Sequence, residues 1–117
     1  MIFPPPLRRW FLAFAFTQVV EVPVYRRTLG VSAFQAFGAS LLTHPIVWFV
    51  LSSPLWPMSW GVRATIAELF AWLAEAAYFQ WIVRTQGGLG KAVAFTLLAN
   101  ALSCGLGLLC YQLFHFP

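Results

Sequence analysis

Four long apolar segments constrain the fold of this chain more than any other feature of its sequence. They run approximately over residues 6–25, 32–51, 63–83 and 89–114. Each approaches or exceeds the about 20 residues that carry a helix across a bilayer core. Apolar and polar residues do not alternate along these segments, so helices rather than barrel strands satisfy the backbone in lipid. The sequence therefore predicts an all-α integral membrane protein, a single domain formed by a bundle of four transmembrane helices.

The composition agrees with a membrane protein and argues against a nucleic-acid partner. Charged residues make up 9% of the chain, whereas soluble domains average about 25%. The net charge of +4 comes from Arg and Lys residues at the ends of the apolar segments, where such side chains reach the membrane interface. Because these residues form no basic stripe with interleaved aromatics, we expect the lipid bilayer, and no nucleic acid, as their partner.

The links between the segments are short and predict how the helices are arranged. "RRTLG" joins the first two segments and "TQGGLG" joins the last two, while the middle link contains two prolines. Short links favour an antiparallel up-down bundle with both termini on one side of the membrane, and we expect this to be the cell (inner) membrane. The basic residues are nearly balanced between the two sides, so the positive-inside rule gives no orientation. Four helices barely enclose a polar interior, so we expect a homodimer or a subunit of a larger membrane complex.

A weak internal repeat relates the two halves of the chain. "AFGASLLTH" in the second segment aligns with "AVAFTLLAN" in the fourth, which pairs Ser40 with Thr96 and His44 with Asn100. With a gap of two residues, Glu21 also aligns with Glu75. The pattern indicates a possible two-helix repeat, whose copies would be related by an axis along the membrane normal.

The positions of the acidic residues are the most informative feature for function. The chain contains no Asp, and its three Glu residues, Glu21, Glu68 and Glu75, all fall inside predicted spans. A charged residue costs at least about 2.5–3.5 kcal/mol at the centre of a membrane helix, so each of these glutamates is a candidate functional residue. Other polar residues follow helical spacing and give every segment one polar stripe. The stripes comprise Thr17, Gln18, Glu21 and Tyr25; Ser40, Thr43 and His44; Glu68 and Glu75; and Thr96, Asn100 and Ser103.

Depth estimates place these polar groups along the membrane normal. Counting at about 1.5 Å per residue from the Arg26 and Arg84 side puts Glu21 at about 8 Å and Glu68 at about 22 Å. The same count gives about 12 Å for Ser40, about 14 Å for Glu75 and Asn100, and about 18 Å for His44 and Ser103. The sequence thus predicts a polar ladder, an ion or solute pathway with Glu75 and His44 at its centre and Glu21 and Glu68 at its two mouths. Its members are Glu21, Ser40, His44, Glu68, Glu75, Thr96, Asn100 and Ser103.

Two prolines lie beside titratable residues and are predicted hinges. Pro45 follows His44 directly, and Pro23 lies two residues after Glu21. Each proline removes one backbone donor and crowds the carbonyl four residues earlier, which favours a kink in the helix.

Each polar residue also has a purely structural interpretation. Glu75 and Asn100 could form an interhelical hydrogen bond, worth about 0.6 kcal/mol in a membrane. His44 could be a satisfied polar residue, a proton relay, a metal ligand with the glutamates, or a haem ligand. The last two are weakly supported, since no Glu-x-x-His pair occurs and the other histidine, His115, lies close to the last residue of the sequence.

The sequence therefore supports three hypotheses for function. The first is a small transporter or channel for protons, cations or a cationic small solute. The second is a non-catalytic membrane subunit that binds partner helices, lipid or a pigment, and the third is a metal-dependent membrane enzyme. The lack of a catalytic motif favours a non-enzymatic function. No cofactor is predicted, although a metal or a pigment stays open.

Overall fold

The chain folds into a bundle of four helices. The computed structural model describes residues 5–51 and 57–115, and this part of the chain contains no strand. The α-helices are α1 (Pro5–Leu29), α2 (Ala33–Ile46), α3 (Trp60–Ala77) and α4 (Gly88–Phe114). Two π-helical segments, Val47–Leu51 and Tyr78–Val83, continue α2 and α3. The prediction of an all-α helical bundle is confirmed.

Local capping groups determine where two of the helices begin. Ser32 caps α2, because its side chain accepts a hydrogen bond from the Gln35 backbone N–H while the Gln35 side chain accepts one from the Ser32 N–H. The Ser59 side chain accepts in the same way from the Val62 N–H and caps α3. Such caps satisfy backbone donors that have no partner within the helix.

The helices pack in a ring in chain order. α2 lies between α1 and α3, and α4 lies between α3 and α1 and closes the ring. Because the α1–α2 and α3–α4 connections are short, consecutive helices run antiparallel. These two connections therefore lie at the same end of the bundle, which we call the link end. The start of α1, the π-helical segment after α2, the start of α3 and the end of α4 lie at the opposite end.

The interior consists mainly of small and polar side chains. The buried apolar residues include alanines on three helices, namely Ala36, Ala39, Ala67, Ala71, Ala76, Ala92 and Ala99. Small side chains allow helices to approach closely, as is common in membrane proteins. Larger side chains pack at the link end, where Tyr25, Leu29, Val31 and Phe79 are buried together. Many large apolar residues face outward, where lipid would cover them.

Within residues 5–51 and 57–115, three helical segments are long and apolar enough to cross a membrane, judged by length and composition. They are Ala33–Leu51, Trp60–Val83 and Gly88–Phe114. α1 is not among them, because only 16 residues separate Arg9 from Arg26 and one of these is Glu21. That interval is shorter than the about 17–25 residues typical of a span. The structure thus supports a small membrane protein in contact with lipid, while a full crossing by α1, the orientation and the oligomeric state stay predictions.

Candidate functional site

Two carboxyl groups meet in the middle of the bundle. Glu21 projects from α1 and Glu75 from α3, helices on opposite sides of the ring, and each residue is only 1% exposed. The two carboxyl groups interact electrostatically, and their shared neighbours on α2 and α4 hold them in one buried group. We call Glu21 and Glu75 the carboxyl pair.

Glu75 is held by side chains from the three other helices. The Tyr25 hydroxyl of α1 donates to Glu75 Oε1, and Thr43 Oγ1 of α2 donates to Oε2 over 2.8 Å. Asn100 Nδ2 of α4 lies 3.4 Å from Oε1 and 2.9 Å from the Thr96 carbonyl oxygen of its own helix. Both oxygens of Glu75 therefore accept hydrogen bonds.

Glu21 has a matching set of partners. Ser40 Oγ of α2 donates to Glu21 Oε1 over 2.8 Å, and Ser103 Oγ of α4 donates to Oε2 over 2.6 Å. Together with the partners of Glu75, these contacts join all four helices. We call this group the polar centre; its members are Glu21, Tyr25, Ser40, Thr43, Glu75, Asn100 and Ser103.

Two hydroxyls of the polar centre have a second acceptor close by. Ser103 Oγ lies 3.2 Å from the Asn100 carbonyl oxygen, and Thr43 Oγ1 lies 3.3 Å from the Ala39 carbonyl oxygen. Each of these hydroxyls can therefore donate either to a carboxyl group or to the backbone of its own helix.

The partners of the carboxyl pair are all electrically neutral. They are three aliphatic hydroxyls, one phenol and one amide. Within residues 5–51 and 57–115, no ion pair joins either glutamate to a Lys or Arg side chain. The seven basic residues of the sequence are not members of the polar centre, so no basic side chain within it balances a negative charge on the pair.

The polar ladder is corrected by this geometry. The depth count separated Glu21 from Ser103 by about 10 Å, yet their side chains share a hydrogen bond of 2.6 Å. Glu21 belongs to the centre of the bundle and does not form a mouth. The count failed because it assumed that Arg26 and Arg84 start at the same depth. Long Arg side chains can reach the interface from backbone positions at different depths.

Two other members of the predicted ladder lie outside the polar centre. Thr96 is buried, but its hydroxyl donates to the Ala92 and Val93 carbonyls of its own helix, at 2.6 and 3.2 Å. Glu68 is half-buried and lies beside Cys104. It precedes Glu75 by two turns of α3, about 10 Å toward the opposite end of the bundle.

His44 lies in an aromatic pocket instead of between the glutamates. Its ring packs edge-on against Phe14 at 5.5 Å, with Trp10 at 6.1 Å and Trp48 at 6.2 Å between ring centroids. In the described part of the chain, no hydrogen bond connects His44 to either member of the carboxyl pair. Its buried Nδ1 atom has no hydrogen-bond partner there, and the same holds for both polar atoms of the Gln18 side chain.

The two prolines have different surroundings. Pro45 lies in the last turn of α2, and the π-helical segment begins two residues later at Val47. Pro23 lies on an exposed position inside α1. Their function as hinges stays a prediction.

Sequence reasoning left two residues of the polar centre out of the predicted pathway. Tyr25 and Thr43 both contact Glu75 directly. The signal was present, because Tyr25 follows Glu21 by one helical turn and Thr43 follows Ser40 by three residues.

Comparisons with known proteins identify no relative of this chain. No family model matches it, and neither a curated protein nor a solved structure matches it. In the described ranges, no group of three or more His, Cys, Asp or Glu side chains is arranged to hold a metal ion.

Proposed function

We propose that this chain is a small membrane transporter or channel for protons, cations or a cationic small solute. The observation that carries the proposal is the carboxyl pair, two buried and electrostatically coupled carboxyl groups whose hydrogen-bond partners among the described residues are all neutral. Two adjacent carboxylates in an apolar interior repel each other and lose their hydration, unless a proton or a cation neutralises part of their charge. A site that must bind positive charge inside a membrane bundle is what such a transporter requires.

The surroundings of the polar centre differ between the two ends of the bundle. Toward the link end, the buried side chains of Tyr25, Leu29, Val31 and Phe79 form an apolar seal. Toward the opposite end lie Gln18, His44 and Glu68, each only partly buried. These three residues offer polar groups along one side of the pathway, and we propose that they connect the carboxyl pair with the opposite end.

The second hypothesis, a non-catalytic subunit, gains less support from this geometry. It requires polar stripes that bind the helices of a partner, yet Glu21, Ser40, Glu75 and Asn100 turn inward and bind one another. The outer surface that a partner would meet is mainly apolar. A homodimer or a place in a larger complex nevertheless agrees with such a surface.

Flux measurements on reconstituted protein test the proposal. The purified chain in liposomes should dissipate an imposed gradient of protons, followed by an internal pH-sensitive dye, or of cations, followed by a cation-sensitive dye, faster than empty liposomes. Glu21→Gln and Glu75→Gln keep the size of the side chain but remove its negative charge, so we expect each to lower the flux at least tenfold.

A matched control separates loss of the site from general damage. Thr28→Val removes a hydroxyl that donates only to the Val24 carbonyl of its own helix, over 2.7 Å, so its flux should equal that of the wild type. Circular dichroism and gel filtration establish that each variant is folded. Wild-type protein that conducts no better than empty liposomes, for protons and for cations alike, would rule the proposal out.

A further inference from the structure

We infer that the species bound at the carboxyl pair is the proton, and that it is taken up and released by reversal of the Thr43 and Ser103 hydrogen bonds. This inference rests on the proposed function and narrows its substrate class from protons, cations and cationic solutes to protons alone. Two independent features of the polar centre support it.

The first feature is that a hydrogen-bond donor from another side chain lies against each of the four carboxyl oxygens. Tyr25 and Asn100 lie against Glu75 Oε1 and Thr43 against Oε2, while Ser40 and Ser103 occupy the two oxygens of Glu21. These groups point hydrogens at the carboxyl oxygens, and a hydrogen directed at the site repels a metal cation. A divalent metal ion such as Ca²⁺ would require about six to eight oxygen ligands at 2.3–2.6 Å, so several donors would have to turn away.

An organic cation faces a stronger obstacle. Pockets for small molecules typically measure about 300–1,000 Å³. The members of the carboxyl pair, in contrast, are each 1% exposed and form hydrogen bonds directly with side chains of other helices. Two surface grooves in the described part of the chain lie beside Pro23 and beside Tyr78, and neither is lined by Glu21 or Glu75. A proton adds almost no volume and needs only one oxygen.

The second feature is that the Thr43 and Ser103 hydroxyls each have two possible acceptors, a carboxyl oxygen and a backbone carbonyl oxygen. A hydroxyl carries one hydrogen and two lone pairs. While Glu75 is ionised, Thr43 donates to its Oε2; once a proton binds to Oε2, the new O–H can donate to Thr43 Oγ1. The Thr43 hydrogen then turns to the Ala39 carbonyl, which is 3.3 Å away. No bond between heavy atoms forms or breaks, and the only net change is one proton gained by the carboxyl group.

Ser103 does the same for Glu21. Its hydroxyl lies 2.6 Å from Glu21 Oε2 and 3.2 Å from the Asn100 carbonyl oxygen. Each member of the carboxyl pair thus has one partner that satisfies both the charged and the neutral form. Since an unsatisfied buried polar group costs about 1–3 kcal/mol, this arrangement keeps the two protonation states close in free energy.

Ion selectivity provides the first test. Liposome flux is measured separately for protons, for Na⁺ and K⁺ at constant pH, and for tetramethylammonium, with wild-type protein and with Glu75→Gln. We expect flux of protons alone. Flux of a metal ion or of tetramethylammonium that disappears in Glu75→Gln would overturn the inference while the proposed function stands, whereas an absence of flux for every ion would overturn the proposed function.

Infrared difference spectroscopy provides a readout that does not depend on transport. A pH step applied to the purified protein should change the C=O band of a protonated carboxyl, and Glu75→Gln should remove one component of that band. Thr43→Val should shift this component and slow proton flux several-fold, Thr43→Ser should restore both, and Thr28→Val should change neither. A pH step that produces no carboxyl band, or a Thr43→Val variant with wild-type band and flux, would overturn the inference.

Discussion

At the scale of single residues, Tyr25 serves the polar centre in two ways. Its hydroxyl donates to Glu75, and its ring packs against Phe79 with 4.6 Å between ring centroids. The sequence indicates the first role only indirectly, through the spacing of Tyr25 and Glu21 on one helix face. The second role depends on a residue of α3, and no pattern within α1 could predict it.

A Tyr25→Phe substitution separates these two roles. Phenylalanine keeps the ring in place but removes the hydroxyl, so Glu75 Oε1 loses one of its two donors and Asn100 loses a neighbour at 3.4 Å. We expect the free energy of unfolding to fall by about 1–3 kcal/mol, measured by thermal unfolding in detergent. Tyr111→Phe is the control, because Tyr111 is 57% exposed. Equal melting temperatures for the two variants would contradict a structural contribution of the Tyr25 hydroxyl.

The polar residues also show what sequence reasoning could reach. It identified both glutamates, Ser40, Asn100 and Ser103 as inward-facing, because helical periodicity depends only on local spacing. It did not find that these side chains meet in one place, since the relative height of neighbouring helices depends on packing. The same limitation explains Thr96, which has the expected burial but directs its hydroxyl to its own helix.

At the scale of helices, the structure agrees with the weak repeat for α1 and α3 but not for α2 and α4. Glu21 and Tyr25 on α1 align with Glu75 and Phe79 on α3; the rings of Tyr25 and Phe79 are in contact, and the two glutamates interact electrostatically. This arrangement agrees with an axis along the membrane normal. On α2 and α4 the equivalence fails, because Ser40 donates to Glu21 whereas the aligned Thr96 does not reach a glutamate. The duplication therefore stays a prediction.

The contact between α2 and the π-helical segment after α3 depends on Gly38. The Tyr78 hydroxyl donates to the Gln35 carbonyl of α2 over 2.8 Å, and a Cβ atom at Gly38 would lie only 2.5 Å from that hydroxyl. The sequence predicted a helix over both π-helical segments. Their wider turns were not predictable, because no residue type in these segments specifies hydrogen bonds between residues five apart.

A Gly38→Ala substitution should therefore displace Tyr78 and break its hydrogen bond to α2. We expect the displaced ring and the lost hydrogen bond, the latter worth about 1 kcal/mol, to outweigh the helix preference of Ala at this position, so the melting temperature in detergent should fall. Gly105→Ala is the matched control on α4, where nothing lies within 4 Å of the added Cβ. Because Ala favours a helix interior over Gly by about 0.5–1 kcal/mol, this control should melt slightly higher. Shifts of the same sign in both variants would contradict a specific contact at Gly38.

At the scale of the whole molecule, the bundle is asymmetric along its axis. The polar centre is closed toward the link end by Tyr25, Leu29, Val31 and Phe79, all at most 8% exposed. Gln18 and His44, which carry buried polar atoms without partners among the described residues, lie toward the opposite end. Under the proposed function, we expect the carboxyl pair to exchange protons with the opposite end and not with the link end. Flux across the membrane then requires the seal to open.

Substitution of Phe79 tests whether the seal limits flux. Phe79 is fully buried beside Tyr25, so a smaller side chain opens space between the polar centre and the link end. Phe→Ala changes in cores cost about 3–5 kcal/mol and could unfold the chain, so Phe79→Leu is the variant of choice. We expect Phe79→Leu to raise the liposome proton flux several-fold, because the link end then gains access to the carboxyl pair.

Two comparisons make this test specific. Phe34→Leu changes a ring that is 85% exposed and should conduct as the wild type does. Phe79→Leu combined with Glu75→Gln should conduct no better than Glu75→Gln alone, since the opened seal still leads through the carboxyl pair. A folded Phe79→Leu variant with wild-type flux would place the limiting barrier elsewhere, and undiminished flux in the double variant would show a leak that bypasses Glu75.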